Sequence, residues 1–351
     1  MREPLLSIFR ATCKALAPLI MTLPVGSSAQ TDLADAQVPF LTVRNATGTD
    51  DPADRFGGER SDLSAGRCRV REVDLQGLSP LADAVPAFLR EEFLRVDDVA
   101  RSDAVSILDD LEATATAAPA IYVHGYYISF EKGCRRAVLF QENARLSGRF
   151  LWFSWPSDGS LALYTHDEAD LYWSVPDLAD SIIELDRRFG SGVVDVVGHS
   201  LGARGVVLAL YEVANRRPDI RLDEIVLLAP DMDFAIFQRM LPRISPIAEN
   251  ITVYVTTGDR PLAVSAQLHG YPRLGEAGNA VETLAGVDVI DLSDLPADSP
   301  TGHLYHIYSD EVGDDLDQLL NGGLHAAERR NLVQTGSNMW SLRQFRGEND
   351  D

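Results

Sequence analysis

From Pro119 onward, short apolar runs alternate with longer segments whose apolar residues recur every three to four positions. The runs cover 120–123, 150–153, 193–197, 225–228, 251–255 and 287–290, and they are rich in β-branched and aromatic side chains. Runs that are apolar at successive positions predict strands covered on both faces. Helical periodicity predicts helices over 176–189, 203–214 and 234–241. Strand and helix in repetition predict an α/β class protein: a mostly parallel sheet with right-handed crossovers and helices on both faces. Upstream, 38–43 (VPFLTV) reads as a further strand and 45–66 as a Gly/Asp/Arg-rich loop. Residues 68–73 (CRVREV) read as the hairpin partner of 38–43 at an antiparallel edge, and 78–111 reads as helix. One domain is expected over 38–323, with 30–37 a linker and 324–351 a C-terminal helix and partly disordered tail.

Residues 1–29 have the order of an export leader. Arg2, Arg10 and Lys14 precede an apolar stretch over 15–25, and Ser27 and Ala29 supply small residues at the −3 and −1 positions. The expectation is a signal peptide cleaved after Ala29 and a periplasmic or secreted protein, or a cytoplasmic one if the leader stays. The stretch is short and interrupted by Pro18 and Pro24, so no stable membrane insertion is expected. Cleavage would remove Cys13 and leave Cys68 and Cys134 as the remaining cysteines. The sequence is compatible with a bridge between them and with two buried thiols.

Composition narrows the function classes. The 351 residues are 45% hydrophobic and 24% charged, as in soluble globular proteins, which excludes a disordered or collagen-like chain. Lys and Arg number 31 against 53 Asp and Glu, a net charge of −22, and the lysines are Lys14 and Lys132 alone. Nucleic-acid binding needs clustered basic residues to displace counterions, so it is excluded as the main function. No pair of cysteines has zinc-ligand spacing, and no metal or cofactor is expected.

The most informative segment is Val196-Val197-Gly198-His199-Ser200-Leu201-Gly202, an apolar strand running through G-x-S-x-G into a helical pattern. A nucleophilic serine needs a strained strand-to-helix turn, and small residues on either side of it avoid a backbone collision. A hydroxyl also needs a base and an orienting acid, expected downstream in the order Ser, Asp or Glu, His. His303, in the Gly/Pro/Ser loop after the last strand, is the first candidate base and His306 its rival, while His269 reads as a residue at a helix end that packs or faces water. Asp259, on the turn after the strand over 251–255, is the preferred acid. Asp231 is equally well placed at a strand end, and Asp233 reads as a helix cap. The oxyanion is assigned to the N–H groups of Leu201 and of Tyr126, which follows His124-Gly125 after the strand over 120–123. His124 reads as a support of that loop.

In these motifs the chain resembles the bacterial α/β-hydrolases of the domain-of-unknown-function 900 group over about 38–323. The resemblance rests on Thr42-Val-Arg44, Gly58-Glu-Arg60, Gly66-Arg-Cys-Arg-Val70, Val123-His-Gly-Tyr126 and Ser129-Phe130. It continues through Phe153-Ser-Trp-Pro-Ser157, Tyr164, Asp167, Gly198-His-Ser-Leu-Gly202, Ala229-Pro-Asp-Met-Asp233, Asp259, Leu268-His-Gly270 and Gly302-His303. Aligned on the family's Gly-His, His303 matches without a gap to Val312 and Asp315-Leu316, and His306 does not. The resemblance thus implies an α/β-hydrolase fold and a triad of Ser200, Asp259 and His303. Leu201 stands where Met is common, Tyr127 where a small polar residue is common, and Leu304 where Ser is common.

The expected activity is cleavage of carboxylic esters of small to medium acyl chain through an acyl-enzyme. Acyl transfer, thioester or amide cleavage on the same site, and a non-catalytic binding module on the same fold, remain as alternatives. Tyr127, Trp155, Tyr164 and Trp173 are candidate pocket residues, with Leu161, Leu163 and Tyr172 in the same connection over 157–174. The high negative charge favours a small-molecule substrate that is neutral or carries its charge away from the pocket.

Overall fold

The computed structural model describes residues 36–73, 86–115, 117–160, 163–297 and 299–344. The expected leader lies outside the described residues, as does most of the linker. Among the described residues eleven strands form one sheet, in the order β10 (Leu332–Gln334), β11 (Met339–Leu342), β9 (Asp288–Asp291), β8 (Ala248–Val255), β7 (Leu222–Leu228), β6 (Asp195–His199), β4 (Ala120–Val123), β5 (Phe150–Ser154), β1 (Ala36–Ala46), β2 (Phe56–Glu72) and β3 (Leu94–Ser102). Its parallel centre is β4 (Ala120–Val123), β5 (Phe150–Ser154), β6 (Asp195–His199), β7 (Leu222–Leu228), β8 (Ala248–Val255) and β9 (Asp288–Asp291). Each apolar run of the sequence therefore becomes a strand, within a few residues of its expected ends.

The pleat explains why these runs are apolar throughout, because successive side chains enter opposite layers. On β4, Ile121 and Val123 join the layer that holds α1 (Ala104–Thr114), α3 (Tyr164–Phe189), α4 (Leu201–Arg216) and α5 (Phe234–Ile244). Ala120 and Tyr122 join the other layer, with α2 (Phe130–Asn143), α6 (Arg260–His269), α7 (Tyr305–Tyr308) and α8 (Asp310–Leu320).

The N-terminal part departs from expectation. β1 (Ala36–Ala46) pairs in parallel with β5 and antiparallel with β2 (Phe56–Glu72), so a strand replaces much of the loop expected over 45–66. β3 (Leu94–Ser102) occupies the middle of the segment expected to be one helix over 78–111. On β3 Leu94 and Val99 are buried and its other side chains are at least partly solvated, so the run carries no two-residue alternation to read. Backbone pairing to β2 decides its conformation, and its charged side chains suit an outer strand that must not recruit another chain. Residues 74–85 lie outside the described part.

α3 and the C-terminus also differ from expectation. α3 starts at Tyr164 rather than near Val175, with Pro176 inside the helix rather than at its start. Pro176 costs the helix a hydrogen bond, and packing of the earlier turns compensates: a Cβ on Gly205 of α4 would lie 2.7 Å from Leu171 Cδ1, so α3 presses directly on α4. Beyond 323 the chain forms β10 (Leu332–Gln334) and β11 (Met339–Leu342) rather than a helix, with β11 parallel to β9.

Cys68 of β2 and Cys134 of α2 form a disulfide, their Cα atoms 6.4 Å apart. Both residues are fully buried. The bridge ties the antiparallel end of the sheet to the helix beneath it.

Candidate active site

Ser200 forms the turn between β6 and α4 with φ 55° and ψ −122°, a region that side-chain-bearing residues rarely adopt. The turn is clamped: Ser200 N–H donates to Leu228 O (2.9 Å), and Ser200 O accepts from Asp231 N–H (3.0 Å) and Ala203 N–H (3.1 Å). Both motif glycines are there because of crowding. A Cβ on Gly198 would lie 2.6 Å from Ala203 Cα, and one on Gly202 would lie 2.2 Å from His124 O. A Cβ on Gly125 would meet Ser200 Cβ at 2.9 Å, so the loop after β4 runs past the serine itself.

Asp259 caps α6 with one carboxylate oxygen and holds a histidine with the other. Oδ1 accepts the Leu262 N–H at 3.0 Å, and Oδ2 lies 2.6 Å from His303 Nδ1. Their loops also pack together, with Arg260 N–H donating to Thr301 O at 3.1 Å. His303 reaches the elbow through its neighbour: the His199 and His303 ring centroids are 4.6 Å apart, and His199 Nε2 lies 3.1 Å from His303 O. Ser200, Asp259 and His303 are buried, at 6%, 3% and 8% exposure, at the carboxyl end of the sheet where parallel strands gather ligand groups.

The rivals occupy other networks. Asp231 accepts from Tyr164 OH and Ser265 OH at 2.5 Å each, with Arg204 Nη2 at 3.3 Å. Its carboxylate makes no contact with an imidazole. Asp233 caps α5 by accepting the Ile236 N–H at 3.0 Å. His306 stacks on His199 at 4.0 Å, with Nε2 3.3 Å from Tyr122 OH, and is fully buried in the layer beneath the site. His269 sits at the end of α6, with Nε2 3.1 Å from Glu168 Oε1.

His124, His199 and His306 all have pKa values pushed well below the usual histidine range, chiefly by burial. Nearby Arg44 adds to the effect at His124, as do the neighbouring histidines at the other two. All three stay neutral in the fold. A group whose native pKa is depressed contributes stability that is complete above its unfolded pKa, near 6.5, and lost as pH falls below it. For His306→Gln, the wild-type stability advantage is therefore expected to shrink by up to about 1.4 kcal/mol per pH unit below about pH 6.5. Urea denaturation of both proteins from pH 7.5 to 5.5 measures this, and a constant difference would mean that His306 titrates normally.

Of the two amides assigned to the oxyanion, one follows Ser200 directly and the other follows Gly125, whose backbone runs past Ser200. Leu201 is the first residue of α4, where N–H groups have no intrahelical acceptor. Tyr126 follows Gly125, and the chain beyond it is braced from behind. Tyr127 takes a φ of 65°, and its N–H points to Asp167 Oδ2 at 3.4 Å. Ile128 N–H donates to Ser157 Oγ (3.0 Å), which in turn donates to Asp167. Arg44 completes the brace, donating to Ile128 O (2.7 Å), Ser157 O (2.9 Å) and Ser154 Oγ (2.9 Å). Burial pulls its pKa down to about 9 against the opposing pull of Asp167. No local motif points to the bracing role of Arg44 and Asp167. They lie more than a hundred positions apart, and no periodicity links them.

The four candidate pocket residues separate. Trp155 is fully buried, stacked on His124 at 5.0 Å and donating to His124 O at 2.8 Å, so it supports the loop from within the core. Trp173 is on the solvent side of α3, with the Arg60 guanidinium 5.6 Å from its ring centroid. Tyr164 meets Tyr126 edge-on at 5.1 Å, and Tyr127 lies under Lys132 Nζ at 3.9 Å. Of the four, these last two combine a place beside the loop after β4 with partial exposure. Among the described residues, Asp158, His166 and Asp170 are the one group spaced to hold a metal ion. Their charges are already met, His166 Nδ1 lying 2.7 Å from Asp158 and Arg60 Nε 2.5 Å from Asp170.

Residues 100–321 match the family described as an alpha/beta hydrolase of unknown function, DUF900. No curated protein matches the chain. Among solved structures, it is similar to an esterase from Pyrobaculum calidifontis at 14% identity and a TM-score of 0.37, over 74% of this chain and 80% of that one. A carboxylesterase from Bacillus subtilis is similar at 15% identity and a TM-score of 0.32, over 60% and 85% of the respective chains. The product of the Listeria innocua gene lin2722 is similar at 11% identity and a TM-score of 0.38, over 65% and 99%. Likeness at this level is slight, and the fold stands on the chain's own topology and on the family match.

Proposed function

We propose, from the premise that this chain belongs to the DUF900 family of α/β-hydrolases, that it cleaves carboxylic esters of small to medium acyl chain through a Ser200 acyl-enzyme. The observation that carries this reading is the 2.6 Å contact of His303 Nδ1 with Asp259 Oδ2 beside a serine held at positive φ. In the proposed reaction Ser200 Oγ attacks the ester carbonyl carbon while its proton passes to His303 Nε2. The carboxylate of Asp259 holds Nδ1–H and stabilises the imidazolium. The N–H groups of Tyr126 and Leu201 take the developing oxyanion, for which electrostatic preorganisation is commonly the largest single contribution. Collapse of the tetrahedral intermediate breaks the C–O bond to the alcohol, which leaves with the proton from His303. Water, deprotonated by the same imidazole, then releases the acid and restores Ser200. Ser200 Oγ makes no hydrogen bond to a described residue, and serine–histidine contacts of this kind commonly tighten only around substrate.

The same site would serve acyl transfer or thioester and amide cleavage, and access of water against a competing acceptor decides between them. The Cys68–Cys134 bridge supports a periplasmic or secreted location, since such bridges persist in oxidising compartments.

A fluorophosphonate probe is expected to label the wild-type protein and not Ser200→Ala. Labelling that survives the substitution would remove Ser200 as nucleophile. Hydrolysis of p-nitrophenyl esters of increasing acyl length is expected to peak at short to medium chains. No turnover across the whole series would favour the binding-module alternative.

A further inference from the structure

A cavity of about 780 Å3 lies between α3, α4, α5 and the segment that follows α6, apart from the residues assigned to the triad. Its walls include Tyr172, Leu208, Tyr211, Ile236 and Tyr271, and Arg273 also lines it. Arg273 is only 2% exposed. Its sole side-chain hydrogen bond to a described residue runs from Nε to Tyr271 O at 3.2 Å, and Nη2 has no partner. The carboxylates around it are otherwise engaged. Glu168 is held by Arg204 and His269, Glu212 pairs with Arg216, and Asp233 caps α5. Glu276 accepts the backbone N–H of Arg273. Asp231 comes only within 3.9 Å of Arg273 Nε, with both of its oxygens already bonded by Tyr164 and Ser265.

A buried guanidinium whose outer nitrogen lacks an acceptor is unfavourable, and a planar carboxylate is the group that matches its fork. We infer that this groove binds a carboxylate carried on an aromatic or aliphatic body, the anion against Arg273 and the body along the tyrosine and leucine walls. Connection to the elbow is short. Arg204, which also lines the groove, is one helical turn beyond Ser200, and Asp231 touches Ser200 O with its backbone while its side chain approaches Arg273. The carboxylate is accordingly assigned to the distal end of the ester substrate, a step that rests on the serine-hydrolase reading, whereas carboxylate binding in the groove does not. It also reconciles an anionic substrate with a chain of net charge −22, since the substrate's charge would sit on a dedicated cation away from the serine.

The test combines binding and turnover. Titration calorimetry with 4-phenylbutyrate is expected to show binding to wild type and Ser200→Ala, and at least tenfold weaker binding to Arg273→Gln and Leu208→Trp. Kinetics compare the mono-p-nitrophenyl ester of suberic acid with p-nitrophenyl octanoate, which has the same chain length without the acid. Wild type is expected to favour the half-ester by tenfold or more in kcat/KM, and both groove variants to abolish that preference. Leu208→Trp decides the matter should Arg273→Gln fail to fold. Equal binding by all four proteins, or none by wild type, overturns the site. Arg273-dependent binding without half-ester preference overturns the substrate assignment and leaves a site for a free carboxylate effector. Arg273-dependent binding with no turnover of either ester supports the site and counts against the serine-hydrolase reading.

Discussion

Asp259→Asn is expected to lower kcat for a short p-nitrophenyl ester by about 10⁴-fold while the protein stays folded. The substitution separates the two jobs of this side chain. Asparagine keeps an oxygen for the Leu262 N–H that caps α6, so the helix start is preserved. Facing His303 Nδ1, however, its amide nitrogen would donate, and the ring would turn to the tautomer that carries its proton on Nε2. That nitrogen could then no longer take the Ser200 proton. Ser200→Ala should cost about 10⁴- to 10⁶-fold, and the double variant little more, because residues that act as a unit are not additive. Steady-state kinetics with a thermal melt for each variant measure both effects. An Asp259→Asn rate within tenfold of wild type would transfer the orienting role to another acid, with Asp231 next in line.

Loss of the disulfide is expected to reduce stability by about 4 kcal/mol. Cys68 and Cys134 are separated by 66 positions, and the closed loop between them contains the end of β2, all of β3, α1 and β4, and the start of α2. Opening it releases the unfolded chain from a constraint whose entropy grows with the logarithm of loop length. The native state has little to gain in return, since both sulfur positions are buried between β2 and α2. Urea denaturation of wild type with and without a phosphine reductant, and of the double variant Cys68→Ala/Cys134→Ala, measures the change. Identical midpoints under all three conditions would show that the bridge does not contribute to stability.

Legibility in the sequence followed physical locality. The parallel strands were readable because burial on both faces leaves a run with hardly a polar residue, as in Ala120–Val123 and Phe150–Ser154. The elbow was readable because its motif occupies five consecutive residues between a strand and a helix, although only the Gly198 contact with Ala203 lies within the turn and Gly202 is small because a side chain there would strike the chain at His124. β3 was misread because its polarity comes from being an outer strand, and its conformation comes from pairing with β2. The first turns of α3 were misread because Pro176 looks like a helix start, while the contact that overrides it, Leu171 against Gly205, belongs to another element. Trp155 looked like a pocket aromatic because sequence cannot tell an indole that faces a cleft from one that holds a carbonyl in the core.

The sequence by itself determined the α/β class, the position of Ser200 on its turn and the short set of downstream acids and bases, because local sterics and periodicity are written in consecutive residues. Only the tertiary structure decided that Asp259 meets His303 while Asp231 is bonded to Tyr164 and Ser265. It alone brought Arg44 behind the Tyr126 loop and left Arg273 with an unpaired nitrogen beside a cavity. These relations depend on which strand ends lie side by side in the sheet and on which polar groups find partners once water is excluded. Both are properties of the packed chain, and no window of residues contains them.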